Sequence, residues 1–231
     1  MFDISPTEWT AILLSLRVAA VATLVATPLG IALAWLLARR DFWGKSVLDA
    51  LVHLPLVLPP VVTGYLLLLT FGRRGLVGAW LAENFGIVFA FRWTGAALAC
   101  GIMSFPLLVR PIRLSSEAVD RRLEQAAGTL GAPPWRVFLT ITLPLALPGV
   151  LAGMVLGFAK AIGEFGATIT FVSNIPGETQ TISSAIYSLI QTPDGDTAAL
   201  RLVVVSIGIA MAALIASEWF ARRATKRLHG N

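Results

Sequence analysis

The chain has 231 residues, 56% of them hydrophobic and only 13% charged, with a mean hydropathy of +0.78. A soluble domain is about 45–50% apolar and about 25% charged, so too little charge remains to clothe a water-facing surface. That excludes a water-soluble enzyme, a disordered chain and a disulfide-stapled secreted domain, and it predicts an all-α, polytopic membrane protein with a single transmembrane domain over residues 1–231. The net charge of +5 does not point to nucleic acid. The basic residues gather at the ends of apolar runs and form no stripe interleaved with aromatics. One cysteine, Cys100, cannot make an intrachain disulfide.

Crossing the hydrocarbon takes about 20 apolar residues. The first predicted span runs from about Thr10 to Ala38 and carries no charge from Val18 to Ala38. The start, MFDISPTEW, is acidic, and the apolar run after it is too long for a signal-peptide core. FWGKS at Phe42–Ser46 looks like the end of a phosphate-binding loop, but Arg39 stands at the required glycine position and no strand precedes it. The second span is Leu51 to Phe71. His53 near its start reads as an interface side chain. A weaker stretch, Gly75 to Phe91, holds Glu83 and Asn84 and reads as re-entrant or interfacial. The third span is Trp93 to Val109.

Residues from about Arg110 to Leu143 are too many for mere connection. Leu123, Ala126, Ala127 and Leu130 recur at helical spacing. Gly131 is placed to stop that helix in a left-handed conformation. Ala132-Pro133-Pro134 then enforces a corner, with a second amphipathic helix starting on proline and carrying Trp135, Val137, Phe138 and Ile141. That helix is expected to stop near Leu143-Pro144, where the chain enters the bilayer. An amphipathic linker resting on headgroups has the same composition.

The fourth span begins after Pro144 and reaches about Ile169. Gly149, Gly153 and Gly157 recur every four residues, a pattern of close helix packing. Lys160 and Glu164 continue that face. A charge at mid-bilayer costs roughly 2.5–3.5 kcal/mol on insertion scales, so the face looks into protein or water. Two compatible readings follow: the pair ties the span to its neighbours, or Lys160 lends positive potential to an anion path. Beyond it, Phe171 to Arg201 is a long non-spanning segment with a short helix expected over Thr181–Gln191 and a turn at Thr192–Asp196. It reads either as a solvated turn or as an outer gate and docking surface. The fifth span is Leu202 to about Ala221.

Twelve of the eighteen Lys and Arg residues fall on one side of this layout: Arg39, Arg40, Lys45, Arg110, Arg113, Arg121, Arg122, Arg136, Arg222, Arg223, Lys226 and Arg227. The positive-inside rule makes that side cytoplasmic, with the N-terminus outside and the C-terminus inside. Arg73 and Arg74 go against the rule. No HExxH, GxSxG or Cys/His metal spacing occurs, and no second copy of GEFGAT signals the repeats of a secondary carrier.

Gln125-Ala126-Ala127, three residues, Gly131, nine residues and Ile141-Thr142-Leu143-Pro144 resemble the EAA loop of ABC importer permeases, E-A-A-x3-G-x9-I-x-L-P. Gln125 stands where the signature has Glu, and Glu124 lies one position earlier. HLPLVLPPVVTGYLLL from His53, FGRRGLVG from Phe71 and GEFGATITFVSNIPGETQTI from Gly163 resemble the molybdate permease subgroup, with sulfate and tungstate permeases sharing the loop.

The resemblance implies a type I importer permease fold of about five spans in a bacterial inner membrane. It also implies a homodimer, a periplasmic oxyanion-binding protein, and a cytoplasmic ATPase dimer that binds ATP and Mg, leaving this chain neither enzyme nor cofactor carrier. The loop residues it assigns to ATPase docking are Glu124, Gln125, Ala126, Ala127, Gly131, Trp135, Phe138, Ile141, Leu143 and Pro144. Those assigned to a translocation path or gate are Gly153, Gly157, Lys160, Glu164, Phe165 and Gly166. A stand-alone channel would not need such a loop.

Overall fold

The computed structural model describes the backbone of residues 4–229 and the side chains of residues 4–216 and Trp219. The described residues form helices and turns, with no strand among them. In chain order the helices are α1 (Pro6–Arg39), α2 (Lys45–Val57), α3 (Pro60–Phe71), α4 (Leu76–Phe85), α5 (Trp93–Ala118), α6 (Arg121–Thr129), α7 (Pro134–Val137), α8 (Leu143–Ile162), α9 (Gly166–Val172), α10 (Ile182–Leu189) and α11 (Asp196–His229). The tail cations Arg222, Arg223, Lys226 and Arg227 lie outside the described side chains.

Helix α5 is the centre of the bundle, packed between α1 and α8. Small residues allow the close approach. A Cβ added to Gly153 would fall 2.5 Å from the Leu108 carbonyl oxygen, and one on Gly149 would fall 2.5 Å from that of Pro111. The glycine stripe of α8 is therefore the seam with α5, and Gly153 and Gly157, expected on a path, are buried there.

The opposite end from α6 is tied by a capping box. Glu8 N–H donates to Ser5 Oγ (3.2 Å), and Ser5 N–H donates to the Glu8 carboxylate (2.6 Å). Arg201 reaches the same carboxylate at 3.0 Å and fixes the start of α11 to the start of α1. Helix α10, expected from the sequence, docks there through Ile182 N–H donating to Ser15 Oγ (2.7 Å).

Three expectations change. The second span is not one helix: α2 and α3 meet at 114°. Leu58 and Pro59 are both extended, because each precedes a proline that disfavours the helical conformation, and α3 restarts with Pro60 in its first turn. The fourth span also breaks, α8 ending at Ile162 and α9 starting at Gly166. Two interrupted helices thus occur in a chain with no sequence repeat. Finally, the helix after Pro134 does not stop at Pro144. Residues Pro134–Ile162 run on as 29 residues, through a π turn at Phe138–Thr142 where Leu143 N–H donates to the Phe138 carbonyl. Pro144 has no N–H to give, and the register widens by one residue just ahead of it.

Among the described residues, four helices are long and apolar enough to cross a membrane, or five if the bent α2–α3 pair counts as one span. Helix α4 has ten residues, about 15 Å, too short to cross the hydrocarbon. That accords with the re-entrant or interfacial reading of Gly75–Phe91.

Candidate functional site: the loop end and the broken-helix junction

At the loop end, α6 starts on Asp120, whose carboxylate accepts from Arg122 N–H (2.9 Å). It ends as the sequence requires. Gly131 has φ +86°, its N–H donates to the Gly128 carbonyl (3.0 Å), and Ala132 N–H donates to the Ala127 carbonyl (3.1 Å). These two bonds are the Schellman closure, which only a residue free to adopt positive φ completes without strain.

Glu124 faces inward. Its carboxylate takes a 3.0 Å ion pair from Arg39 at the end of α1 and a 2.6 Å hydrogen bond from Thr142 Oγ1 in the π turn. Arg39 also donates to the Val119 carbonyl at the end of α5 (3.0 Å). One carboxylate and one guanidinium therefore join α6 to α1, α5 and the base of α8. Phe138 is half-buried, edge-on to the Trp35 ring with centroids 5.6 Å apart. Glu124 and Phe138 also line the cleft between the loop and the end of α1, with Gln125 and Pro134. Ile141, Leu143 and Pro144 are half-buried along the helix leading into α8.

Gln125, Ala126, Gly131 and Trp135 are exposed, and Ala127 is half-buried. Beside them Leu130 is 89% exposed and Trp135 62%. A large aliphatic and an indole held out on a stiff helical corner form an apolar surface with no cover among the described residues, the kind that suits a protein partner. Two further pairings stiffen this end: Arg113 of α5 reaches Asp49 of α2 at 2.8 Å, and Lys45 reaches Asp41 at 2.8 Å. The Asp41 carboxyl, in the turn after α1, is held below its usual range first by that hydrogen bond.

The second site is the junction of the interrupted helices. Lys160, in the last turn of α8, pairs with Glu164 at 2.7 Å. Glu164 is buried, and its other oxygen accepts from Ala167 N–H (3.0 Å). One carboxylate thus neutralises a cation and closes the first turn of α9. Phe165 stacks at a tilt on Tyr187, centroids 4.9 Å apart. A Cβ on Gly166 would fall 2.7 Å from Pro60 Cβ, and one on Gly64 would fall 2.5 Å from the Ala167 carbonyl oxygen. The break at Leu58–Pro59 and the break at Gly163–Phe165 therefore lie against each other, with α3 packed on α9. Sequence reasoning grouped Lys160, Glu164, Phe165 and Gly166 but missed Pro60 and Gly64, their partners across the junction. It also missed Arg39 and Thr142 at the loop end.

Glu124→Ala would leave Arg39, whose side chain is 7% exposed, without its anion. Removing one member of a buried pair costs about 3 kcal/mol. The expected result is a clear drop in thermal unfolding midpoint of the purified protein, largely recovered by adding Arg39→Met. An unchanged midpoint in Glu124→Ala would show that the pair does not hold the loop.

Residues 26–226 match the family described as binding-protein-dependent transport system inner membrane component. The chain is 62% identical over 220 residues to the molybdenum transport system permease protein ModB of Escherichia coli (strain K12), covering 95% of this chain and 96% of that one. Against ModB of Haemophilus influenzae it is 58% identical over 221 residues, 96% of each chain. A solved bacterial ABC transporter involved in the import of the acidic polysaccharide alginate superposes with a TM-score of 0.74 at 19% identity, over 95% of this chain and 80% of that one. That likeness is one of fold, the all-helical fold of type I ABC importer permeases. Because the family match takes in both the loop end and the broken-helix junction, this chain belongs to the inner-membrane components of binding-protein-dependent transport systems.

Proposed function

We propose that the chain is the membrane-spanning subunit of an ATP-driven importer of molybdate. The observation that carries this reading is the 62% identity to a molybdenum transport permease over nearly the whole of both chains. Molybdate is a tetrahedral dianion, and its path needs positive potential that draws it in without trapping it. Lys160 is suited to that: its side chain is 30% exposed while its partner Glu164 is 1% exposed, so the ammonium, not the carboxylate, meets an approaching anion. Two copies in a homodimer double the cation and keep each one tempered by its own carboxylate. Phe165 and Gly166 form the gate beside it.

A separate ATPase dimer, holding ATP and Mg, grips the exposed face of α6 at Gln125, Ala126, Leu130, Gly131 and Trp135. This chain is not itself the ATPase. Through Glu124, Arg39 and Thr142, a movement of α6 is passed as a rigid-body shift to α1, α5 and α8. Helix α8, with 20 residues, is a rod about 30 Å long whose far end carries Lys160 and the junction with α3 and α9. The loop end is cytoplasmic, the N-terminus periplasmic, and a periplasmic binding protein docks near α10 and the Thr192–Asp196 turn.

In proteoliposomes holding the permease, its ATPase and its binding protein, molybdate should stimulate ATP hydrolysis and accumulate inside. Stimulation by sulfate or tungstate with none by molybdate would reassign the substrate. Gly131→Asp, at φ +86°, strains the backbone by about 1 kcal/mol and sets a carboxylate at the negative end of α6. It should insert normally yet lose co-purification of the ATPase. Retained ATPase binding with full uptake would refute the docking assignment.

Orientation is checked by reporters active only in the periplasm. A fusion after Gly195 should be active and one after Arg122 silent. The reverse pattern would invert the topology.

The pair at the junction separates structure from transport. Lys160→Met alone should reduce the amount of assembled complex, because Glu164 is buried. Lys160→Met with Glu164→Gln keeps an acceptor for Ala167 N–H and should restore assembly while uptake stays down about tenfold, the scale of a lost focusing charge. Full uptake in the double variant would leave Lys160 a structural role only.

A further inference from the structure

Between α1, α2 and α5 lies a groove of about 600 Å³. Its wall on α1 is Val21, Val25 and Leu29, and its wall on α5 runs from Trp93 past Gly101 to Phe105. Thr94 is the single hydroxyl-bearing residue in the lining. From Trp93 to Phe105 the α5 wall is about 18 Å long, close to the roughly 15 Å thickness of one leaflet's hydrocarbon.

A cation lies at the Trp93 end of the groove. Arg17 lies one turn before Val21 on the same face of α1, and its guanidinium carbon is 3.8 Å from the centroid of the Trp93 ring. Arg17 is exposed, as is Arg92 beside Trp93. Among the described residues no carboxylate forms an ion pair with either arginine, whereas Arg39, Arg113 and Arg201 are each matched to an acid. Depth decides what these free cations meet. Along α1, Arg17 and Arg39 are separated by about 33 Å, the thickness of the hydrocarbon core, and no charge lies between them. Arg17 therefore stands at headgroup level in the leaflet on the side of the α1 N-terminus, with an indole at the same level, as in an interfacial belt.

We propose that this groove is a binding site for an anionic glycerophospholipid. Its headgroup phosphate pairs with Arg17 and Arg92, and an acyl chain lies along α1 and α5 down to Phe105. A cation at the mouth and an apolar wall one leaflet deep both fit that molecule. The site does not depend on the transported substrate, and only the name of the leaflet rests on the orientation proposed above.

The test is lipid retention by the purified protein in mild detergent, read by native mass spectrometry and by phosphate analysis of the extract. Wild type should keep about one anionic phospholipid per chain. Arg17→Gln should lower retention about fivefold, the factor expected for one basic residue facing an anionic headgroup, and Arg17→Lys should keep most of it. Gly101→Phe, where an added Cβ makes only ordinary contact with Ala22 at 3.7 Å, should fill the bore and also expel the lipid. A second measurement leaves the fold untouched: a photoactivatable phosphatidylglycerol in vesicles should label the α5 wall of the wild-type chain, and the phosphatidylcholine analogue should label it less. No retained phospholipid, equal labelling by both lipids, or loss of the dimer in Gly101→Phe with lipid content unchanged would each overturn the proposal, the last by giving the groove to a second copy of the chain.

Discussion

Lipid tails accept and donate no hydrogen bonds, so every break in a membrane helix must be covered by protein. Much of this structure follows from having two breaks. The chain leaves helix at Leu58–Pro59 and again at Gly163–Phe165, and each break lies against the other. Pro60 fills the space a side chain on Gly166 would take, and the missing Cβ of Gly64 lets α3 meet the Ala167 carbonyl. Glu164 completes the cover by accepting from the first turn of α9 while it holds Lys160. Both the position of Lys160 and the packing of α3 on α9 depend on that arrangement.

The loop end answers a different demand. The loop is both stiff in itself and fastened to the bundle. Gly131 and Pro133-Pro134 supply the stiffness within the loop. Fastening comes from Glu124, Arg39 and Thr142, which join four segments through two side-chain charges. Leu130 and Trp135, at the corner between α6 and α7, stay exposed while Glu124 is held against the bundle. The seam of α8 on α5, made close by Gly149 and Gly153, gives that fastening something rigid to act on.

Local chemistry was legible where it is encoded locally. The helix stop at Gly131 follows from the glycine itself and from the apolar spacing before it. The helix over Ile182–Leu189 follows from its periodicity, and the glycine seam of α8 from its four-residue repeat. Two local signals were outweighed. Leu58-Pro59-Pro60 is a strong break, but it sits inside an apolar run of ordinary span length, and length suggested one helix. Leu143-Pro144 suggested a stop, yet the helix continues because a π turn absorbs the missing N–H.

By itself the sequence determined the membrane class, the approximate number of spans, the position of the glycine–proline corner and the residues able to form it, because hydropathy, glycine and proline act over a few residues. Only the tertiary structure decided which way each polar side chain turns. Nothing near Glu124 in the chain says that it faces Arg39 and not solvent, or that Phe138 meets Trp35. Nor does anything near Ser15 say that its hydroxyl receives the Ile182 N–H from 167 residues away. Helical periodicity assigns a face to each residue, but the neighbour that face meets is set by how α1, α5 and α8 pack, and that is a property of the assembled bundle.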